Sequence, residues 1–381
     1  MTAAAFDRRR FEVAYRARID RIAALCRERG HSAVIATVGA EMPWLIGYQA
    51  MPLERITAAV VTGDGEARLV IPQLEAPRFR PLEGVEVLGW RDGEDPFRLV
   101  ASMLPREGSV LVTEGTRAGW LFQLFSAAPS VRFSSAETLT AEVRAIKDEI
   151  EVRLLTLAAE AADRVAARLR DGEIPVIGRT EREVSAAIAA ALLEEGHVKV
   201  NFAIVASGPN SASPHHEASD RVIGAGDILV TDFGGTFSVG GEPGYCSDIT
   251  RTFAVGDPEP AGFFELYSTL QTAQEAAASG IRAGMSGSEA DALAREPIAA
   301  AGYGDCFIHR LGHGIGLEEH EEPYLAPGEH SRLADGMAFS IEPGIYVQGR
   351  YGARIEDIAI LSGGRALRLN HAPRDLVILS R

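Results

Sequence analysis

Four carboxylates in this chain stand where a solvated charge is out of place. Asp232 follows the apolar run Ile228-Leu229-Val230-Thr231, and Asp248 precedes Ile249-Thr250-Arg251-Thr252-Phe253. Glu342 follows Phe339-Ser340-Ile341, and Glu356 lies between Ile355 and Asp357-Ile358. A carboxylate in such a run loses hydration unless something positive compensates it. Taken singly, each reads better as an edge charge or the partner of an arginine. Four together, with a glycine-flanked His313, are better explained by divalent metal. Two divalent cations offset four carboxylates, and His313 enters as a neutral nitrogen ligand. Oxygen-rich ligation with one imidazole suits Mn²⁺, Co²⁺, Fe²⁺ or Zn²⁺. Two such ions can bridge a water, generate hydroxide near neutral pH and polarise a carbonyl. The implied chemistry is hydrolysis.

Five of the nine histidines fall in two short segments: His215 and His216, then His309, His313 and His320. Histidines among acidic residues and glycines suit metal ligation or proton handling. The plain alternative is a solvated loop that happens to contain them. Gly312, Gly314 and Gly316 alternate with larger residues, which lets backbone or a ligand approach closely. Cys246, though near Asp248, is assigned to packing, since no thiolate is needed.

The elements that must carry these groups read as strands at Phe202–Ala206, Ile228–Phe233, Ile249–Val255, Met337–Ile341 and Ile358–Leu361. Helical patterns cover Glu181–Glu195, Gly262–Ala283 and Ser288–Ala301. Strands joined by glycine-rich turns with helices grouped apart predict an α+β domain around a mostly antiparallel sheet. Upstream, a helix is predicted from Phe6 to Arg29, stopped by Gly30. Strand candidates at Ser32–Thr37, Ile56–Val61, Ala67–Ile71, Val85–Leu88, Val110–Val112 and Val131–Phe133 alternate with helical stretches near Pro96–Leu104 and Trp120–Phe125. That alternation predicts an α/β domain. A long helical stretch, Ala136–Arg170, breaks near Lys147, which divides the chain into 1–146 and 147–381.

At 381 residues the chain is long enough for two domains. Its net charge of −15 argues against nucleic acid and against an anionic membrane as partners. Three cysteines without metal-binding spacing fit a reducing cytoplasm. No apolar stretch follows Arg8-Arg9-Arg10, so neither a signal peptide nor a membrane span is expected.

The series Asp232-Phe233-Gly234, Ser247-Asp248-Ile249-Thr250-Arg251-Thr252, His313-Gly314-Ile315-Gly316, Ile341-Glu342-Pro343-Gly344 and Arg354-Ile355-Glu356-Asp357 resembles the pita-bread metallopeptidases. Within them it looks most like the proline-specific branch, prolidase and aminopeptidase P. More weakly, Trp44-Leu45-Ile46-Gly47-Tyr48 and Leu69-Val70-Ile71-Pro72 resemble a creatinase-like N-terminal domain. The resemblance implies an α/β domain followed by an α+β domain with a curved sheet. It makes Asp232 a ligand of one ion, Asp248 and Glu356 bridges between two, and His313 and Glu342 the completion of the second site. Manganese is the metal expected first. Glu342 is also the implied general base. His215 would contact substrate and transition state, His320 the scissile carbonyl or leaving-group side, and His309 and Arg354 would orient ligands or substrate. His216 is read as structural. The implied reaction is attack by a metal-bridging hydroxide on the carbonyl before proline, in a peptide with proline second. A cytoplasmic homodimer is expected with it.

Two departures bear on the substrate. Asp232 and Asp248 lie sixteen positions apart, further than the family usually places them. The extra segment Thr236–Pro243 reads as a surface loop or as a lip shaping the entrance. Several prolidases carry an arginine where this chain has Tyr324, so another cation must meet a dipeptide's carboxylate. Arg55, reaching in from a partner subunit, is one candidate; the plainer reading is a surface arginine. The alternatives to a prolidase are aminopeptidase P, a small-amide hydrolase of the same fold, and a non-catalytic binding module.

Overall fold

Residues Ala33–Ala36 are buried at every position, the pattern of a strand covered on both faces. A computed structural model describes residues 7–256 and 262–380. The chain forms two compact units, 1–144 with 239–243, and 145–238 with 244–381. The predicted helix start at Phe6 lies outside the described residues, as does the segment before it.

Unit 1 contains α1 (Arg8–Glu28), β1 (Ala33–Ala36), α2 (Glu41–Ile46), β2 (Ala58–Thr62), β3 (Ala67–Pro72), β4 (Val85–Trp90), α3 (Pro96–Ala101), β5 (Gly108–Val112), α4 (Ala118–Ala127), β6 (Val131–Ser135) and α5 (Glu137–Ala145), which ends at the boundary. The strands form one sheet in the order β4-β3-β2-β1-β5-β6. Only β2 runs antiparallel to its neighbours. On α1 the buried Phe11, Tyr15, Ile19, Ile22 and Cys26 recur at helical spacing and form one face.

Unit 2 contains α6 (Glu149–Arg170), α7 (Glu181–Glu194), β7 (His197–Ser207), β8 (Ile228–Phe237), β9 (Tyr245–Cys246), β10 (Ile249–Val255), α8 (Phe263–Gly280), α9 (Gly287–Ala300), β11 (Gly312–Gly314), β12 (Glu321–Leu325), β13 (Ala338–Ile341), β14 (Gly344–Val347), β15 (Tyr351–Arg354), β16 (Asp357–Ser362), β17 (Arg365–Arg368) and β18 (Val377–Leu379). The break expected near Lys147 has a local cause. Asp148 caps α6 by accepting from the backbone of Ile150 and Glu151, and Glu151 reaches back to the Asp148 N–H.

One sheet runs β18-β10-β8-β7 with β9 beside β8, a second runs β12-β11-β13-β16-β17, and β14 pairs with β15. Apart from β10 and β18, the pairs are antiparallel. A single bridge, Thr250 to Glu356, joins the two sheets. Leu270, Ala277, Phe339 and Ile341 are buried in one core of this unit, Val165, Ile188, Leu229 and Phe253 in the other.

The Thr236–Pro243 segment is anchored rather than free. β8 continues to Phe237 against β9. Residues 239–243 belong to unit 1, where Glu242 is buried and accepts from Tyr15 Oη at 2.8 Å and Arg8 Nη1 at 2.9 Å.

Candidate metal centre

Strand register collects the acidic residues. In the antiparallel pair β8/β10, Asp232 lies opposite Thr250, and Asp248 stands one residue before β10. The Thr250–Glu356 bridge then places Glu356 beside the same hairpin. Ile341 pairs with Asp357, so Glu342 and Glu356 emerge together from the ends of β13 and β16. Next to β13 runs β11, with His313 donating its backbone N–H to Ser340 Oγ at 3.0 Å.

The glycines flanking His313 serve this crowding. A Cβ on Gly312 would lie 2.0 Å from the Ser340 carbonyl oxygen, and one on Gly314 would lie 2.2 Å from that of Glu322. Their reason is close backbone, not ligand approach.

A cavity of about 490 Å³ is lined by Asp232, Asp248, His313, Glu342 and Glu356, together with His215, His309, Arg310, His320 and Arg354. That volume lies within the range of about 300–1,000 Å³ usual for small-ligand sites. Ligand atoms of Asp248, His313 and Glu356 all lie within 4.8 Å of one another. His313 Nδ1 faces the Gly314 carbonyl at 3.1 Å, so it carries the proton and leaves the Nε2 lone pair free. That Nε2 lies 3.2 Å from Glu342 Oε1 and 3.8 Å from Asp248 Oδ2. Two acceptors at such distance need a proton or a metal ion between them.

Three buried oxygens, Asp232 Oδ1, Asp248 Oδ1 and Glu356 Oε1, find no hydrogen-bond donor among the described residues. Burial and then the neighbouring carboxylates push Asp248 and Glu356 well above the usual carboxylate range. Burial raises Asp232 too, against the opposing charge of Arg354. Glu342 goes the other way. Burial works against its charge, but a proton between it and His313, together with the positive charge of Arg354, holds it well below the ordinary value. Unsatisfied, mutually repelling carboxylates around a free imidazole nitrogen are a set of hard donors, and divalent metal ions fit them.

The other expected residues divide. Arg354 Nη2 donates to Asp232 Oδ2 at 2.5 Å, its Nε to Thr250 Oγ1 at 3.0 Å, and Nη1 to Tyr346 Oη at 2.7 Å. Thr250 Oγ1 in turn donates to Glu356 Oε2 at 2.7 Å. His309 Nδ1–H donates to the Arg310 carbonyl at 2.7 Å, so its Nε2 accepts from Tyr346 Oη at 2.9 Å. Burial keeps His309 in this neutral form. His320 lies with its ring centroid 4.0 Å from that of His313 and stays open to solvent.

His215 is exposed and, among the described residues, makes no hydrogen bond of its own. Its loop is held from behind by Glu181, which is fully buried on α7. Glu181 accepts from the backbone and hydroxyl of Ser207 and of Ser219, from Asn210 Nδ2, and from His216 Nε2 at 2.7 Å. Those donors outweigh burial and bring its carboxyl down to about 2. His216 therefore anchors the loop that carries His215. Arg55 lies in unit 1 and does not line the cavity. Its fork is taken by Asp92, with Nε and Nη2 each 2.9 Å from a carboxylate oxygen.

Residues 153–362 match metallopeptidase family M24. The chain belongs to this family. Residues 18–146 of this M24 metallopeptidase match the creatinase/prolidase N-terminal domain. It is 41% identical over 377 residues to a probable dipeptidase PepE of Mycobacterium tuberculosis, covering 97% of this chain and 98% of the relative. An Xaa-Pro dipeptidase of Pyrococcus furiosus is 35% identical over 84% of this chain and 88% of its own. The crystal structure of dipeptidase PepE from Mycobacterium ulcerans superposes with a TM-score of 0.89 at 42% identity, covering 97% and 99% of the two chains. The M24 enzyme thus has the pita-bread architecture behind a creatinase-like domain.

Sequence reasoning missed Thr250, Tyr346, Glu181 and Arg310. Thr250 had a signal, since it lies between Asp248 and Arg251 in a strand. Tyr346 and Glu181 reach the site only through tertiary pairing.

Proposed function

We propose that this M24 metallopeptidase hydrolyses Xaa-Pro dipeptides using two divalent ions, manganese first among them, held by Asp232, Asp248, His313, Glu342 and Glu356. The three buried carboxylate oxygens without donors carry this reading. When bound, the ions supply a water acidic enough to ionise near neutral pH and a Lewis acid for the scissile carbonyl. Asp248 and Glu356, whose ligand atoms lie within 4.8 Å of each other and of that of His313, would hold the ions together with it. Glu342, whose charge Arg354 favours, takes the proton of the attacking water. His215 and His320 face the same cavity and donate to the carbonyl oxygen as it gains charge. Arg354 fixes Asp232, and Tyr346 links Arg354 to His309. The tertiary amide before proline has no N–H, so a pocket shaped for the ring can select it without an acceptor.

The catalytic domain is assigned to 147–381 and the creatinase-like domain to 1–146, a division supported by the matched spans 18–146 and 153–362. Cytoplasmic location and a homodimer complete the proposal; no described helix is long and apolar enough to cross a membrane. Arg55 enters this reading only from a second subunit, and would have to exchange Asp92 for the substrate carboxylate.

The test is to load metal-free protein with Mn²⁺, Co²⁺ or Zn²⁺ and assay Ala-Pro, Met-Pro, an Xaa-Pro-Xaa tripeptide and a dipeptide without proline. Cleavage of the Xaa-Pro dipeptides alone is expected. Cleavage of the tripeptide but not the dipeptides points to an aminopeptidase P, and no cleavage with two ions bound rejects the proposal.

A further inference from the structure

Two arginines line the cavity, and they differ in how their charge is spent. Arg354 is buried and committed to Asp232, Thr250 and Tyr346. Arg310 is half-buried, and no carboxylate among the described residues lies within ion-pair distance of it. Glu322 feels its positive charge, yet forms no ion pair with it. What holds Arg310 is an aromatic face, its guanidinium carbon lying 4.4 Å from the Tyr324 ring centroid. The two segments run alongside each other, Leu311 N–H donating to the Leu325 carbonyl at 2.9 Å and His313 lying opposite Tyr324.

Stacking engages the face of a guanidinium and leaves its in-plane N–H donors at the edge unused. An arginine held over a ring on the wall of a cavity, its side chain making no hydrogen bond among the described residues, can offer its fork to a planar anion. The other arginine of the cavity, Arg354, is already paired with Asp232, and the metal-holding carboxylates offer an anion no donor. A dipeptide brings one anion with it, its terminal carboxylate, and burying that group unpaired would be strongly unfavourable.

We propose that Arg310, braced on Tyr324, receives the substrate's C-terminal carboxylate and so selects dipeptides. This assignment rests on the dipeptidase reading above.

The experiment compares the manganese-loaded wild type with Arg310→Gln and Arg310→Lys on Ala-Pro and on Ala-prolinamide, which has the same scissile bond and no carboxylate. The wild type is expected to favour Ala-Pro. Arg310→Gln should raise KM for Ala-Pro by about 10- to 100-fold with kcat little changed, the size expected for lost hydrogen bonds to a charged group, and leave Ala-prolinamide nearly untouched. Arg310→Lys, which keeps the charge without the planar fork, should recover part of the preference. If Arg310→Gln keeps the preference, or loses equally on both substrates, the assignment of Arg310 is wrong while the function stands. A wild type that cleaves the amide as readily as the acid has the same consequence. A wild type that cleaves neither overturns both proposals.

Discussion

Glu356 and Asp357 are neighbours in sequence, both buried, and their carboxylates meet opposite surroundings. Asp357 Oδ1 accepts from Arg251 Nη2 at 2.7 Å, and its Oδ2 from Gln274 Nε2 at 3.0 Å and Arg374 Nη1 at 3.2 Å, with Arg368 at 3.5 Å. Glu356 has Thr250 Oγ1 on one oxygen and, among the described residues, no donor on the other. Side chains alternate along an extended chain, so adjacent residues face different environments. One face holds an ionic cluster complete in protein; the other holds a cluster that protein alone leaves unfinished. Arg251 links them, since its Nη1 donates to the backbone carbonyls of Thr250 and Glu356 at 2.8 and 2.6 Å. Through Arg251 the complete cluster fixes the backbone from which Glu356 projects.

Glu356→Gln breaks the incomplete side and should have the largest effect. On the proposed ligand set, this change should lower kcat/KM by well over the roughly 100-fold typical of groups that only orient ligands. Metal content, measured by elemental analysis, should fall from two ions per chain to one or none. Two ions retained would remove Glu356 from the ligand set.

Asp357→Asn breaks the complete side. It leaves Arg251, itself buried, without its carboxylate, and should destabilise the protein by about 3–5 kcal/mol. Urea unfolding of the metal-free protein measures this apart from metal binding. A change below about 1 kcal/mol would mean that the arginines find other partners.

A smaller effect comes from His197, a buried group that is also complete. Its Nδ1–H donates to the Leu192 carbonyl at 3.0 Å, and its Nε2 accepts from Ser247 Oγ at 2.8 Å, next to Asp248. Burial lowers its pKa from the ordinary 6.5 to about 4. The folded state therefore favours neutral His197. Its contribution is full above pH 6.5 and is lost as pH falls from there through about 4, a span worth about 3 kcal/mol at most. Urea unfolding between these pH values should show a steeper loss in the wild type than in His197→Gln. Parallel curves would remove His197 as the source.

The incomplete cluster was legible because its signal is local. An acidic residue inside an apolar strand run is visible without knowing its neighbours, and Asp232, Asp248, Glu342 and Glu356 stand out on that basis. The same rule read Asp357 only as part of Glu356's flank, because a buried carboxylate with cations looks identical in sequence to one awaiting metal. Glu181 opens a helix with its partners 26 to 38 positions away, so nothing near it marks it as buried. Arg310 was passed over because its bracing ring lies on another strand. Arg55 stands out in its local sequence, whereas the Asp92 that holds its fork lies 37 positions on.

By itself the sequence determined which residues could form strands and helices, where α6 begins, and which acidic groups would lack water. Those properties depend on hydration, periodicity and capping over a few residues. Which carboxylates meet a cation and which meet each other was decided only by the register of β8 with β10, β13 with β16, and the Thr250–Glu356 bridge. Electrostatic pairing falls off over a few ångströms, and only the folded chain sets distances of that size between residues a hundred positions apart.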